Sequence, residues 1–184
     1  MRLPLLLAIL LPTTLMASYE SPEYKVVSAE GSYEVRDYPA LTLVSTPMQK
    51  RGESGSFMRL FGFISGSNSR SEKISMTTPV LMSGENSGTM SFIVPKEVAA
   101  KGTPAPASAE VSLSSVPTAR YAAYRYSGWV NSTREKAAAR KLLDWAFSRH
   151  LETEGTPIFA YYNPPWTPWF MRRNEVLVKL APKR

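Results

Sequence analysis

Ser32-Tyr33-Glu34-Val35-Arg36-Asp37-Tyr38-Pro39-Ala40-Leu41-Thr42-Leu43-Val44-Ser45-Thr46-Pro47-Met48 decides the fold. Tyr33, Val35 and Asp37 alternate with Glu34, Arg36 and Tyr38, the two-residue period of a strand, and Leu41-Thr42-Leu43-Val44 is β-rich. Pro39 has no N–H to give a ladder, so the stretch predicts two short strands rather than one long one. Beyond it, Phe57, Leu60, Phe61 and Ile64 fall at i, i+3, i+4 and i+7, which predicts an amphipathic helix of about three turns ended by Gly66. Strands are expected at Lys73–Met82 and Thr89–Val94, joined by the turn-rich Ser83-Gly84-Glu85-Asn86-Ser87-Gly88. Pro95–Ser108 reads as a loop between halves.

The second half repeats that order. Val111–Val116 and Arg120–Ser127 read as strands, and Ser132-Thr133-Arg134-Glu135 as a capping box opening a helix to about Thr153. Ala139, Leu142, Leu143, Ala146, Phe147, His150 and Leu151 would line one side of that helix. Ile158–Tyr162 and Glu175–Leu180 close the chain. Strands with one helix, twice over, predict an α+β domain with pseudo-twofold symmetry, its sheet curved enough to leave a cleft or partial barrel. The repeat lies in element order and not in residue identity.

Composition narrows the chemistry. The chain has 184 residues, enough for one domain, with 43% hydrophobic and 20% charged residues, enough apolar material for one core. Cysteine is absent, which removes disulfides, thiolate metal sites and cysteine nucleophiles. The single histidine, His150, cannot build a His₂Glu or His₃ zinc site. The net charge is +7, spread along the chain rather than bunched. Neither an aromatic-basic stripe nor a recognition helix points to nucleic acid, so no nucleic-acid partner is expected.

The N-terminus sets the expected compartment. Arg2, the apolar run Leu3–Leu11 and a small residue at Ala17 form a secretory signal-peptide pattern over residues 1–17. The run is shorter than the about 20 residues that a membrane span needs. The expected mature domain is 18–184, periplasmic or secreted, with no stable membrane span after cleavage.

Four stretches then line up in order with one family. Tyr33-Glu34-Val35-Arg36 resembles the opening Tyr-Glu-x-Arg strand of the SOUL/heme-binding proteins, and Met76-Thr77-Thr78-Pro79-Val80 their Met-Thr-x-Pro-Val strand. Tyr161-Tyr162-Asn163-Pro164-Pro165 resembles their Tyr-x-Pro-Pro loop, and Arg172-Arg173-Asn174-Glu175-Val176 their lead into the last strand. The resemblance implies a distorted β-barrel of two quasi-repeats, each carrying one helix, of the SOUL/effector-binding kind. It also implies binding of heme or another tetrapyrrole.

Heme is an apolar disc with two carboxylates on one edge, so a site needs apolar walls and cations. The family's pocket is attributed to the outer side of the first helix and the late loop. The matching residues here are Phe57, Met58 and Phe61, with Tyr161 and Tyr162. Ser54 and Gly62 stand where relatives carry basic residues, so propionates would fall to Arg59, Lys50, Arg51 or the pair Arg172 and Arg173. Asp37 stands where one branch carries an axial histidine, which leaves His150 as the sole imidazole for a metal. Ion pairing that holds the fold explains Arg172-Arg173-Asn174-Glu175 equally well. Helix capping explains the formal glycosylation sequon at Asn131.

The leading expectation is an exported, non-enzymatic binder of heme or another hydrophobic anionic small molecule. A second is a hydrolase acting on a hydrophobic small molecule in the same cleft, using Glu175, Tyr161 or Tyr162, since burial can raise a carboxylate into the range of a general base. A third is an interaction module that holds an envelope protein or anionic lipid through its cations.

Overall fold

The computed structural model describes residues 19–49, 54–84 and 88–182. The expected signal peptide lies outside them, as do Lys50 and Arg51. The elements are β1 (Lys25–Glu30), β2 (Tyr33–Tyr38), β3 (Leu41–Pro47), α1 (Ser54–Ile64), β4 (Val80–Ser83), β5 (Thr89–Ile93), α2 (Lys96–Ala100), β6 (Ser112–Val116), β7 (Ala119–Tyr126), α3 (Ser132–Ser148), β8 (Thr153–Tyr161) and β9 (Asn174–Leu180). The strands form one antiparallel sheet in the order β1-β2-β7-β9-β8-β4-β5-β3-β6. Its edge strands, β1 and β6, do not pair with each other, so the sheet stays open and the expected barrel does not form.

The two quasi-repeats are visible in that order. Leaving β1 aside, β2, β7, β9 and β8 mirror β6, β3, β5 and β4 about an axis between β8 and β4. The first strand of each repeat pairs in the other repeat's half, β2 with β7 and β6 with β3. Neither repeat can therefore complete its half of the sheet alone.

Both helices lie on one face. On the α1 side, Leu60, Phe63 and Ile64 pack on Val44, Met90 and Phe92. On the α3 side, Ala138 and Leu142 pack on Ala122, Phe159, Val176 and Val178. The opposite face holds a third cluster of Tyr38, Ala123, Ala160 and Leu177. Successive residues of a strand point to opposite faces, so both faces being covered explains why β9 is buried along nearly its whole length.

Several local expectations need correction. The strand expected over Lys73–Met82 joins the sheet only from Val80 onward: Pro79 offers no donor, Thr77 makes an isolated bridge with Glu20, and its hydroxyl donates to the Ile93 carbonyl at 2.6 Å. The loop expected over Pro95–Ser108 contains α2. β1 lies just ahead of the predicted strands; every one of its residues is exposed, so it carries no buried alternation to read. Asn131, not Ser132, caps α3: its side chain accepts from the Arg134 N–H at 2.9 Å. Glu135 is buried and accepts from the Tyr161 hydroxyl.

α3 also ends early, at Ser148. His150 takes a left-handed backbone, φ 55°, and the N–H groups of His150 and Leu151 reach the carbonyls of Phe147 and Ala146. That is a Schellman closure with histidine where glycine is usual. His150 therefore does not share a helix side with Leu143, and Leu143 and Phe147 are exposed rather than buried. A left-handed conformation costs an L-residue about 1–2 kcal/mol, partly offset in glycine by its larger unfolded-state entropy of roughly 0.5–1 kcal/mol. His150→Gly should thus raise the thermal midpoint by about 1–2 °C, and His150→Val should lower it. Scanning calorimetry checks the order; a valine variant as stable as the glycine variant would refute the left-handed closure.

Candidate functional site

The sequence motifs at the two ends of the chain meet on the helix-free face of the sheet. β7 separates β2 from β9, a spacing of about 10 Å across two ladders. The Arg36 side chain crosses it: Nη1 donates to Glu175 Oε2 at 2.6 Å and Nη2 to Oε1 at 3.1 Å. Ala123, the β7 residue between them on that face, is small enough to let the guanidinium pass. Arg173 donates to Glu175 Oε1 from Nε at 3.0 Å and Nη2 at 2.8 Å, and Tyr162 donates its hydroxyl to Oε2 at 3.0 Å. Arg36 Nε donates to Glu34 at 2.6 Å. The cations also lie on rings, Arg36 4.4 Å from the Tyr24 centroid and Arg173 3.9 Å from that of Tyr162. Glu175 is wholly buried and Arg36 is 2% exposed.

This network fixes the proton states. Burial pushes the Glu175 carboxyl up, but hydrogen bonds and charge from Arg36, then Arg173, outweigh it and hold the group below the usual carboxylate range. Burial pushes the Tyr38 hydroxyl up to about 12 and the Tyr162 hydroxyl well above its ordinary value. Glu175 is a saturated carboxylate and not a raised-pKa base, so the chemistry of the hydrolase reading is not assembled around it. The cavity beside it, walled by Tyr38, Leu41, Leu81, Tyr121, Ile158 and Leu177, holds about 80 Å³. Ligand pockets run to about 300–1,000 Å³. That cavity is too small for a tetrapyrrole; a neighbouring groove that shares Pro22, Leu41 and Ile93 with it holds about 370 Å³.

The sequence-predicted site residues do not converge. Tyr161 and Tyr162 point to opposite faces, Tyr161 toward α3, where it donates to Glu135, and Tyr162 toward Glu175. Arg59 pins α1 to β3, donating to Thr46 Oγ1 at 2.8 Å, to the Pro47 carbonyl at 2.6 Å and to Ser56 Oγ at 3.2 Å. Arg172 braces the proline loop, donating to the carbonyls of Thr167 and Pro165. Asp37 forms a two-bond pair with Arg120 at 2.7 and 2.9 Å, whose hydrogen bonds hold its carboxyl low. Among the described residues no three His, Cys, Asp or Glu side chains are grouped to hold a metal ion.

Phe57, Met58 and Phe61 do stay together. Phe57 and Phe61 lie along the edge of the buried stripe of Leu60, Phe63 and Ile64, Met58 lies on the outer side of α1, and all three are exposed, Met58 by 57%. The Phe57 and Phe61 rings are near-parallel, 14° apart with centroids at 6.1 Å, and Phe57 meets Phe92 edge-on at 5.4 Å. A helix apolar on every side is ordinarily buried on every side. In α1 the apolar residues extend beyond the buried stripe, so that Phe57, Met58 and Phe61 are left only partly covered.

A groove of about 610 Å³ runs between α3, the end of β7 and the short 3₁₀ turn Trp169–Met171. Tyr124, Lys141, Arg134, Phe170, Met171 and Arg172 line it. The sequence reading passed over it, although one signal was present: residues 111–134 and 155–174 contain no Asp or Glu.

Glu175→Gln should cost about 3–5 kcal/mol, since it leaves Arg36 and Arg173 to share only the partly exposed Glu34 as counter-charge on that face. The folded pKa of Glu175 lies below its unfolded value of about 4.3, so its stabilisation is complete above that pH and fades as pH falls through the folded pKa. Urea melts from pH 7 down to pH 2 should show a flatter acid limb for the glutamine variant. An equal loss of stability in both proteins over that range would show that the network does not govern acid stability.

Comparison with known proteins agrees with this frame. The fold resembles the EcmrR C-terminal domain, with TM-score 0.58 and 11% identity over 86% of this chain and 98% of that one. It is also similar to a hydrolase from Listeria innocua, with TM-score 0.50 and 12% identity over 90% of this chain and 94% of that one. At such identities the likeness concerns the fold alone. No curated protein matches by sequence. The SOUL heme-binding protein family matches residues 19–179, nearly all of the described chain and all four motifs quoted from it. The chain belongs to the SOUL heme-binding protein family.

Proposed function

We propose that this protein binds heme or a closely related tetrapyrrole on the outer face of α1 and carries it without transforming it. Family membership supports tetrapyrrole binding in general. The observation that carries the location is the exposed apolar strip, with the near-parallel Phe57 and Phe61 rings and the pliable Met58 beside them. A flat macrocycle laid on such a strip removes it from water, which is worth about 25 cal/mol for each Å² covered.

The polar half of the reading changes with the structure in hand. Arg59, Arg172 and Arg173 are each engaged inside the protein, so propionate pairing is a minor contribution and apolar contact the major one. Tyrosinate ligation of the iron is disfavoured at both positions, since Tyr161 donates to Glu135 and burial raises Tyr162. His150 stands at the C-terminal end of α3, in the other quasi-repeat from α1.

Hemin added to the purified protein should give a saturable Soret shift. Phe57→Ala with Phe61→Ala should weaken binding at least tenfold, about 1.4 kcal/mol, while His150→Gly leaves the affinity and the band nearly unchanged. No spectral change at micromolar hemin with folded protein would end the proposal. Unchanged affinity in the double variant would move the site from α1 to the groove beside α3.

Export belongs to the same proposal and rests on the pattern of residues 1–17. Mass spectrometry of the protein from the native organism should find a mature chain beginning near Ser18 in the extracytoplasmic fraction. A cytoplasmic chain that retains Met1 would refute it.

A further inference from the structure

The loop after β7 and the loop before β9 together present Trp129, Val130, Trp166, Trp169, Phe170 and Met171 to solvent. Single exposed apolar residues are ordinary; six gathered on two joined loops are not. The loops are fastened to one another. The Gly128 N–H donates to the Trp169 carbonyl at 3.0 Å, Asn174 Nδ2 donates to the Gly128 carbonyl at 3.0 Å, and the Arg172 guanidinium lies 4.6 Å from the Trp129 ring centroid. Trp169 meets Phe170 edge-on at 5.7 Å. The most prominent side chain, Trp166, is 81% exposed and sits in the bend held by Arg172.

The charge around this patch has one sign. Arg134, Lys141 and Arg172 line the groove that Phe170 and Met171 also wall, and no carboxylate lines it. The Arg134 guanidinium packs so closely on Gly128 (φ 117°) that a Cβ there would stand 2.6 Å from it. Neither loop, residues 127–134 nor 162–174, contains Asp or Glu. Tryptophan, phenylalanine and methionine at the apex with arginine and lysine behind match the layering of a bilayer surface, where indole rings sit at headgroup depth and cations meet lipid phosphates.

We infer that this patch docks the protein on an anionic phospholipid bilayer, with Trp166 and Phe170 entering the interface and Arg134 and Lys141 facing the headgroups, while Arg172 holds the loop that presents Trp166. Among the described residues no helix is long and apolar enough to cross a membrane, so the docking is peripheral. It is independent of tetrapyrrole binding, which the proposal above places on α1.

The test is co-sedimentation of the full chain with vesicles of phosphatidylglycerol and phosphatidylcholine in equal parts, against vesicles of phosphatidylcholine alone. Wild type, Trp166→Ser/Phe170→Ser and Phe147→Ser are compared, all with the same N-terminus. Phe147 is a matched control, exposed but near the other end of α3, about 25 Å of helix away. The expected results are at least tenfold stronger partitioning of wild type onto the anionic vesicles, weakening in 0.5 M salt, and a blue shift of tryptophan emission on binding. The double variant should lose at least tenfold and Phe147→Ser should match wild type. Circular dichroism verifies folding, and Trp166→Ser alone serves if the double variant is unstable. Equal sedimentation of the double variant and wild type would overturn the inference, as would wild type remaining in the supernatant with both vesicles. So would a wild-type dimer that the double variant converts to monomer, since a second copy would then cover the patch.

Discussion

Arg36 and Glu175 are two opposite charges sunk in a sheet face, and much of the molecule is arranged to keep them satisfied. Removing two such groups from water costs several kcal/mol each, and their attraction offsets this only with good geometry and further hydrogen bonds. The further bonds come from Arg173, Tyr162, Tyr38 and Glu34. Arg36 stands in β2 of the first quasi-repeat and Glu175 in β9 of the second, so the pair can form only when β7 lies between them with Ala123 beneath. The charge pair thereby specifies strand order as well as adding stability. It also leaves Glu175 no free acceptor, because both of its carboxylate oxygens are already engaged.

The two quasi-repeats differ most on their outer surfaces. α1 and α3 occupy equivalent places on the sheet, yet their outer faces have opposite character. α3 turns lysine and arginine to solvent around a buried stripe of Ala138, Leu142 and Ala146. α1 turns out Phe57, Met58 and Phe61, while its one cation, Arg59, is held by β3. The two halves share one order of elements, and their exposed helix faces differ in chemistry. The tryptophan loops at the start of α3 add a third character, apolar and cationic together.

Elements whose burial alternates, or whose ends carry proline or glycine, were legible from residues alone. β2, β3, β5, β7 and β9 fall where period and composition put them, and Pro39 and Pro79 mark interruptions of pairing. α1 was legible as a helix, and its outer residues were named, but a 3.6-residue period cannot say which apolar residues end up covered. β1 was missed because an exposed edge strand needs no alternation. The end of α3 was missed because His150, rather than a glycine, adopts the left-handed turn. Of the candidate site residues, Phe57, Met58 and Phe61 remain grouped. Tyr161 and Tyr162 were separated by the pleat, since adjacent strand residues face opposite ways.

The sequence by itself determined the α+β class, the doubled order of elements, the family, and the exclusion of cysteine and multi-histidine chemistry. These follow from local periodicity, composition and short motifs, all of which are written along the chain. Only the tertiary structure decided that the sheet stays open, that Arg36 neutralises Glu175 across 139 positions, and that Arg59, Arg172 and Arg173 are engaged within the protein. Those outcomes depend on which strand lies beside which and on how much water each charge loses there. Both are properties of packing between residues far apart in the chain.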